Sequence, residues 1–157
     1  MQKILITDSE AKHLIEILKY IIKKYNVPLD PGSKGVIELD TDEKYEFFLH
    51  YFVSPNVENK MSVHLRQKTT NINLVRINID PNGFHKNGNK QKIFGNRLLI
   101  YSQEEWIKKA DGKTYVQAYN VPEEFTDTTN LEQVFLDFLV YIHVKEENKL
   151  LFNSKLI

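Results

Sequence analysis

The chain contains no cysteine, which excludes a disulfide framework and any thiolate-held metal. No stretch approaches the ~18 apolar residues of a membrane-spanning helix. The opening Met1-Gln2-Lys3-Ile4-Leu5-Ile6 turns polar at Thr7, too early for a secretory signal, so the expected location is the cytoplasm, with no membrane partner. There is no Gly-x-Ser-x-Gly elbow, no phosphate-binding loop and no dinucleotide fingerprint. The reactions those motifs announce have no support, and neither a cofactor nor a metal is expected. Net charge is zero, which is unusual for a protein whose affinity rests on phosphate contacts.

What is present points to one domain over residues 1–157, with a tail from Lys145 that either docks or stays loose. The 157 residues, with nine Phe and eight Tyr, are enough to bury roughly two-thirds of the unfolded surface. The zero net charge hides a segregated pattern. Residues 60–97 hold Lys60, Arg66, Lys68, Arg76, Lys86, Lys90, Lys92 and Arg97 against Asp80, whereas seven acids lie in 28–59 and ten in 98–147.

Hydrophobic periodicity gives an α+β fold: an antiparallel meander of about six strands with an amphipathic helix at each end. Thr7-Asp8-Ser9-Glu10 reads as a capping box. The stripe Ala11, Leu14, Ile15, Leu18, Ile21, Ile22 and Tyr25 then predicts a helix ending near Asn26 and Pro28, with Lys12, Glu16, Lys19 and Lys23 on its solvent side. Strands are expected at Val36–Leu39, Tyr45–Val53, Met61–Leu65, Ile72–Ile79, Leu98–Tyr101 and Thr114–Tyr119. Phe48 and Phe52 make both faces of the second strand apolar, which predicts a strand covered on both sides. A Thr129-to-Glu132 capping spacing opens the closing helix, with the stripe Leu131, Val134, Phe135, Phe138, Leu139 and Ile142.

In the strand Ile72–Ile79 the apolar phase changes: Ile72 and Leu74 share one, Val75, Ile77 and Ile79 the other. One face cannot bury both sets without an extra residue, so a β-bulge is expected near Leu74-Val75. Pairing through a turn at Thr69-Thr70 sets Leu65 opposite Leu74, Val63 opposite Ile77 and Met61 opposite Ile79. The other face then collects His64, Arg66, Lys68, Asn73, Arg76 and Asn78. The loop from Ile79 through Gly83, His85 and Asn87 to Gly88 is the second place for a site. His50 reads as a core or rim residue.

The order of the whole chain resembles a family of uncharacterised proteins from bacteria, their phages and mobile elements. The resemblance rests on the opening helix, Leu74-Val75-Arg76-Ile77-Asn78-Ile79, His85-Lys86-Asn87, Leu98-Leu99-Ile100-Tyr101 and Pro122-Glu123-Glu124-Phe125-Thr126-Asp127. Members read like R-L-D-I-x-G-P-P-H-x-N-P-D-G followed by H-I-H-I-Y. Arg76, His85, Asn87 and Tyr101 hold their positions, but Arg97 and Leu99 replace the two strand histidines, so a three-histidine metal or acid–base cluster is not expected here.

The resulting expectation is a non-catalytic accessory protein of a phage or mobile element that binds a macromolecular partner through His64, Arg66, Lys68, Arg76, His85, Asn87, Arg97 and Tyr101. The leading partner is a protein, such as a host defence nuclease inhibited in the manner of an anti-CRISPR. The alternative is a nucleic-acid binder or an RNA-cleaving toxin built on the basic 60–97 region, and a homodimer pairing basic and acidic faces is a third.

Overall fold

A computed structural model describes residues 6–152. The first helix, α1 (Asp8–Glu16), opens on the expected capping box: Thr7 Oγ1 accepts from the Glu10 amide at 3.0 Å, and Glu10 Oε1 accepts from the Thr7 amide at 3.4 Å. It buries Ala11, Leu14 and Ile15, then stops at an extended Ile17.

The rest of the predicted helix is not helical and holds two short strands, β1 (Lys19–Ile21) and β2 (Tyr25–Asn26). Long-range pairing wins over local periodicity here: β1 pairs antiparallel with β3 (Lys34–Asp40) and parallel with β11 (Val144–Lys145). Lys19, expected on a solvent face, is fully buried. Its ammonium donates to the carbonyls of Ile15, Ile17 and Ile142 at 2.7, 2.9 and 2.7 Å, tying the ends of both long helices together.

Strands β4 (Phe47–Val53), β5 (Met61–Gln67) and β6 (Asn73–Ile79) continue the meander from β3. A small hairpin, β7 (Phe84–Lys86) and β8 (Lys92–Phe94), precedes β9 (Arg97–Tyr101). Next come a helix that the sequence pattern did not predict, α2 (Gln103–Lys109), and then β10 (Val116–Asn120). The chain ends with α3 (Leu131–Tyr141), β11 and β12 (Leu150–Leu151), the last paired in parallel with β2. The sheet is therefore larger than expected and mixed: among the described residues it has eight strands in the order β10-β9-β6-β5-β4-β3-β1-β11, with one parallel pair. The N-cap of α3 is Asn130, which accepts from the Gln133 amide, not Thr129.

One face of the sheet carries the core. Ile37, Leu49, Val63, Leu65, Val75, Ile77 and Leu98 pack with Leu14 and Ile15 of α1 and with Val134, Phe135 and Phe138 of α3. The opposite face is open along β4, contrary to the expected double cover: Phe48 is half-buried and Phe52 is 47% exposed. At the other end it is covered in part by the β7–β8 hairpin, whose Ile93 forms a small second core with Leu99 and Ala118.

Candidate functional site

The expected bulge is present. Leu65 pairs with Val75 and Arg66 with Asn73, leaving Leu74 as the extra residue. Leu65 was expected opposite Leu74 and instead meets Val75, while Val63–Ile77 and Met61–Ile79 pair as predicted. The shift places both Leu74 and Val75 in the core, at 0 and 1% exposure, and leaves Asn73, Arg76 and Asn78 on the open face.

Across that face runs a row of directly paired residues, His50–His64–Arg76. The two imidazoles stack with centroids 4.7 Å apart and planes 9° from parallel. Arg66 Nε donates to His50 Nε2 at 3.0 Å, its Nη1 donates to Asn71 Oδ1, and its guanidinium lies 4.7 Å from the Phe48 ring centroid. Arg76 Nη2 stands 3.5 Å from His64 Nδ1. Burial, then the charge of Arg76, drives His64 down to about 3; burial, Arg66 and Arg76 lower His50 as well. Both rings are thus neutral at pH 7. Neither Arg66 nor Arg76 makes an ion pair among the described residues, whereas Lys68 is matched by Glu46 at 3.2 Å.

The hairpin presents two different sides. Phe84, Lys86, Lys92 and Phe94 face outward and exposed, with the Phe84 and Phe94 rings 5.6 Å apart, while His85 and Ile93, opposite each other, turn inward. Burial, Lys109 and Arg97 lower the pKa of His85. Asn87 is buried and fully engaged: its amide donates to the Ala118 carbonyl at 3.0 Å and accepts from the Ala118 amide at 2.8 Å. It closes the open edge of β10 as a neighbouring strand would. The next residue, Gly88, donates its amide to the buried Glu105 carboxylate of α2 at 2.8 Å, and a Cβ there would stand 2.7 Å from Lys108 Cβ.

Arg97 is also occupied. It is buried, donating to the Gly95 carbonyl at 2.8 Å and to Asp80 at 3.4 Å, and so anchors the base of the hairpin. The Tyr101 hydroxyl is buried, donates to the Ile6 carbonyl at 2.6 Å, and is pushed up to about 12 chiefly by burial. The structure thus gathers His64, Arg66, Arg76 and His85 on one side of the sheet and assigns Asn87, Arg97 and Tyr101 to holding the frame.

His50, read from the sequence as a core or rim residue, is half-buried and also joins the candidate site, which the sequence did not indicate. It shares a phase with Phe48 and Phe52, and only the register of β4 against β5 sets it on His64. Tyr115 also reaches this face: its hydroxyl accepts from the Asn73 amide at 3.1 Å, across a separation of 42 residues.

No curated protein and no solved structure matches the chain. The model of a family of unknown function, DUF6978, matches residues 6–144, and the chain belongs to that family.

Proposed function

We propose that this protein binds a single strand of nucleic acid, without cleaving it, across the open face of its sheet. The observation that carries the reading is the pair Arg66 and Arg76, two half-buried guanidinium groups without a carboxylate partner among the described residues, set beside neutral imidazoles. Guanidinium is well suited to phosphate, and an unmatched pair on an accessible sheet is a ready anion site. Phe48, Phe52, Phe84 and Phe94 are exposed or half-exposed on the same side, and Lys86 and Lys92 flank the last two. Aromatic platforms interleaved with cations are what unpaired bases and their backbone require.

The chemistry favours binding over cleavage. A histidine held near 3 is almost never protonated at neutral pH and is a weak base there, so His64 is mismatched to proton transfer. Titrating labelled RNA and DNA oligomers over a salt series tests the reading. Arg66→Ala and Arg76→Ala should each weaken binding and flatten the salt dependence by about one phosphate contact. No binding at low salt would remove the proposal. Shortening of the RNA by wild type but not by His64→Ala would replace it with a nuclease.

A second reading keeps a protein as partner: a phage or mobile-element accessory protein that engages a nucleic-acid-binding protein, such as a defence nuclease, by imitating phosphate charge. It is favoured by a groove of about 640 Å³ between α1, α3 and the β9–β10 end of the sheet. Asp8, Glu16, Glu104 and Glu124 line this groove, with Lys12 as the only cation among its described lining residues. Retention of a nucleic-acid-binding protein from a host lysate, lost in a Glu16→Lys, Glu124→Lys variant, supports it; unchanged retention counts against it.

A further inference from the structure

Where the β7–β8 hairpin overhangs strands β6, β9 and β10, a pocket of about 390 Å³ opens, a size within the range of small-ligand sites. Asn73, Arg76, His85, Leu99, Tyr115 and Val116 are among its lining residues. Two buried atoms of these side chains, Asn73 Oδ1 and His85 Nε2, have no hydrogen-bond partner among the described residues. Buried polar atoms in folded proteins are nearly always matched, so two unmatched atoms on side chains that line one pocket, closed to water in this conformation, point to a ligand that reaches them as the side chains turn.

The pattern around them is specific. A primary amide offers an acceptor and two donors in one plane, and a neutral imidazole adds one donor and one acceptor. Such groups read the edge of a heterocyclic base. Leu99 and Val116 supply apolar surface, Tyr115 is among the lining residues, and Arg76 adds a positive charge without an ion partner among the described residues.

We infer that this pocket takes one nucleotide, with its base edge against Asn73 and His85 and its phosphate on Arg76. The inference rests on the reading of the face as a nucleic-acid surface and deepens it: the face supplies sequence-independent grip, and the pocket selects a base. The shared chemistry is a nucleoside monophosphate, either free or as one unpaired residue of a strand.

The test uses the full chain with two sets of probes, the four nucleoside 5′-monophosphates and short homopolymers accompanied by an abasic strand. One base should be preferred at least tenfold as mononucleotide and as homopolymer. Asn73→Ala and His85→Ala should remove that preference, while Lys24→Ala keeps it. Should either alanine variant fail to fold, perturbation of the Asn73 side-chain amide and His85 ring resonances in the wild-type protein gives the same answer. Equal binding of all homopolymers and the abasic strand, with no mononucleotide bound, overturns the pocket and leaves the face reading standing. Mononucleotides bound in an Asn73-dependent way, with no strand bound, leave the pocket and overturn the face. No binding of either probe overturns both.

Discussion

The rings of His50 and His64 stack 9° from parallel, on adjacent strands, with Arg66 on one and Arg76 beside the other. Two imidazoles so close, under two guanidinium groups, are stable only while uncharged, and this links the face to pH.

Stability should therefore fall as the solution is acidified from about pH 6.5 towards 3. In the folded protein His64 resists protonation until about 3, whereas unfolded it takes a proton near 6.5. Between those values the unfolded chain binds more protons, and acid draws the equilibrium towards it. Urea midpoints at several pH values check this. His64→Gln should flatten the profile between pH 6.5 and 4, and parallel profiles for variant and wild type would show that the stack is not the cause.

Replacing Lys19 by Met should cost about 2–4 kcal/mol of stability, since two buried carbonyls and a part-buried one would lose a partner, and a buried carbonyl is expensive to leave dry. Burial draws the Lys19 amine down to about 7, while three acceptors within 2.9 Å call for the three N–H groups of the ammonium. Chemical denaturation measures the loss. An unchanged midpoint would mean that the carbonyls of Ile15, Ile17 and Ile142 find other donors.

Asn87→Ala should destabilise the protein by about 1–3 kcal/mol through the loss of both hydrogen bonds to Ala118. The local readout is amide exchange at Ala118, which should accelerate in the variant and stay unchanged in Asn89→Ala. Weakened oligonucleotide binding without faster exchange would assign Asn87 to the ligand.

Gly35 lies directly opposite Tyr51, and a Cβ at Gly35 would sit 2.7 Å from the Tyr51 ring. That ring in turn meets Phe135 of α3 edge-on, with centroids 5.6 Å apart. Gly35→Val should displace the ring and lower stability by about 1–3 kcal/mol, as overpacking does. Near-ultraviolet circular dichroism of the tyrosines should change together with the melting temperature, and loss of either signal alone would contradict the coupling.

The sequence by itself determined the parts whose cause is local. The Thr7–Glu10 capping box, the apolar stripe of α3 and the alternation along Met61–Gln67 are visible because capping and periodicity act over a few residues. The bulge at Leu74 was legible for the same reason: a change of phase within one strand has one remedy, and it carried Asn73 and Arg76 to the face of His64 and Arg66. The tertiary structure alone decided what depends on partners far along the chain. Leu18 to Tyr25 has helical spacing, yet β3 and β11 hold Lys19–Ile21 as strand, because strand pairing and the hydrogen bonds of Lys19 to two helix ends outweigh a local preference. His50 reached the site only through its register with His64, set across the turn of residues 54–60. The His85 pocket required a hairpin to fold back onto β9 and β10. No spacing in the sequence encodes that contact, since Ile93, Leu99 and Ala118 meet by closing over one another.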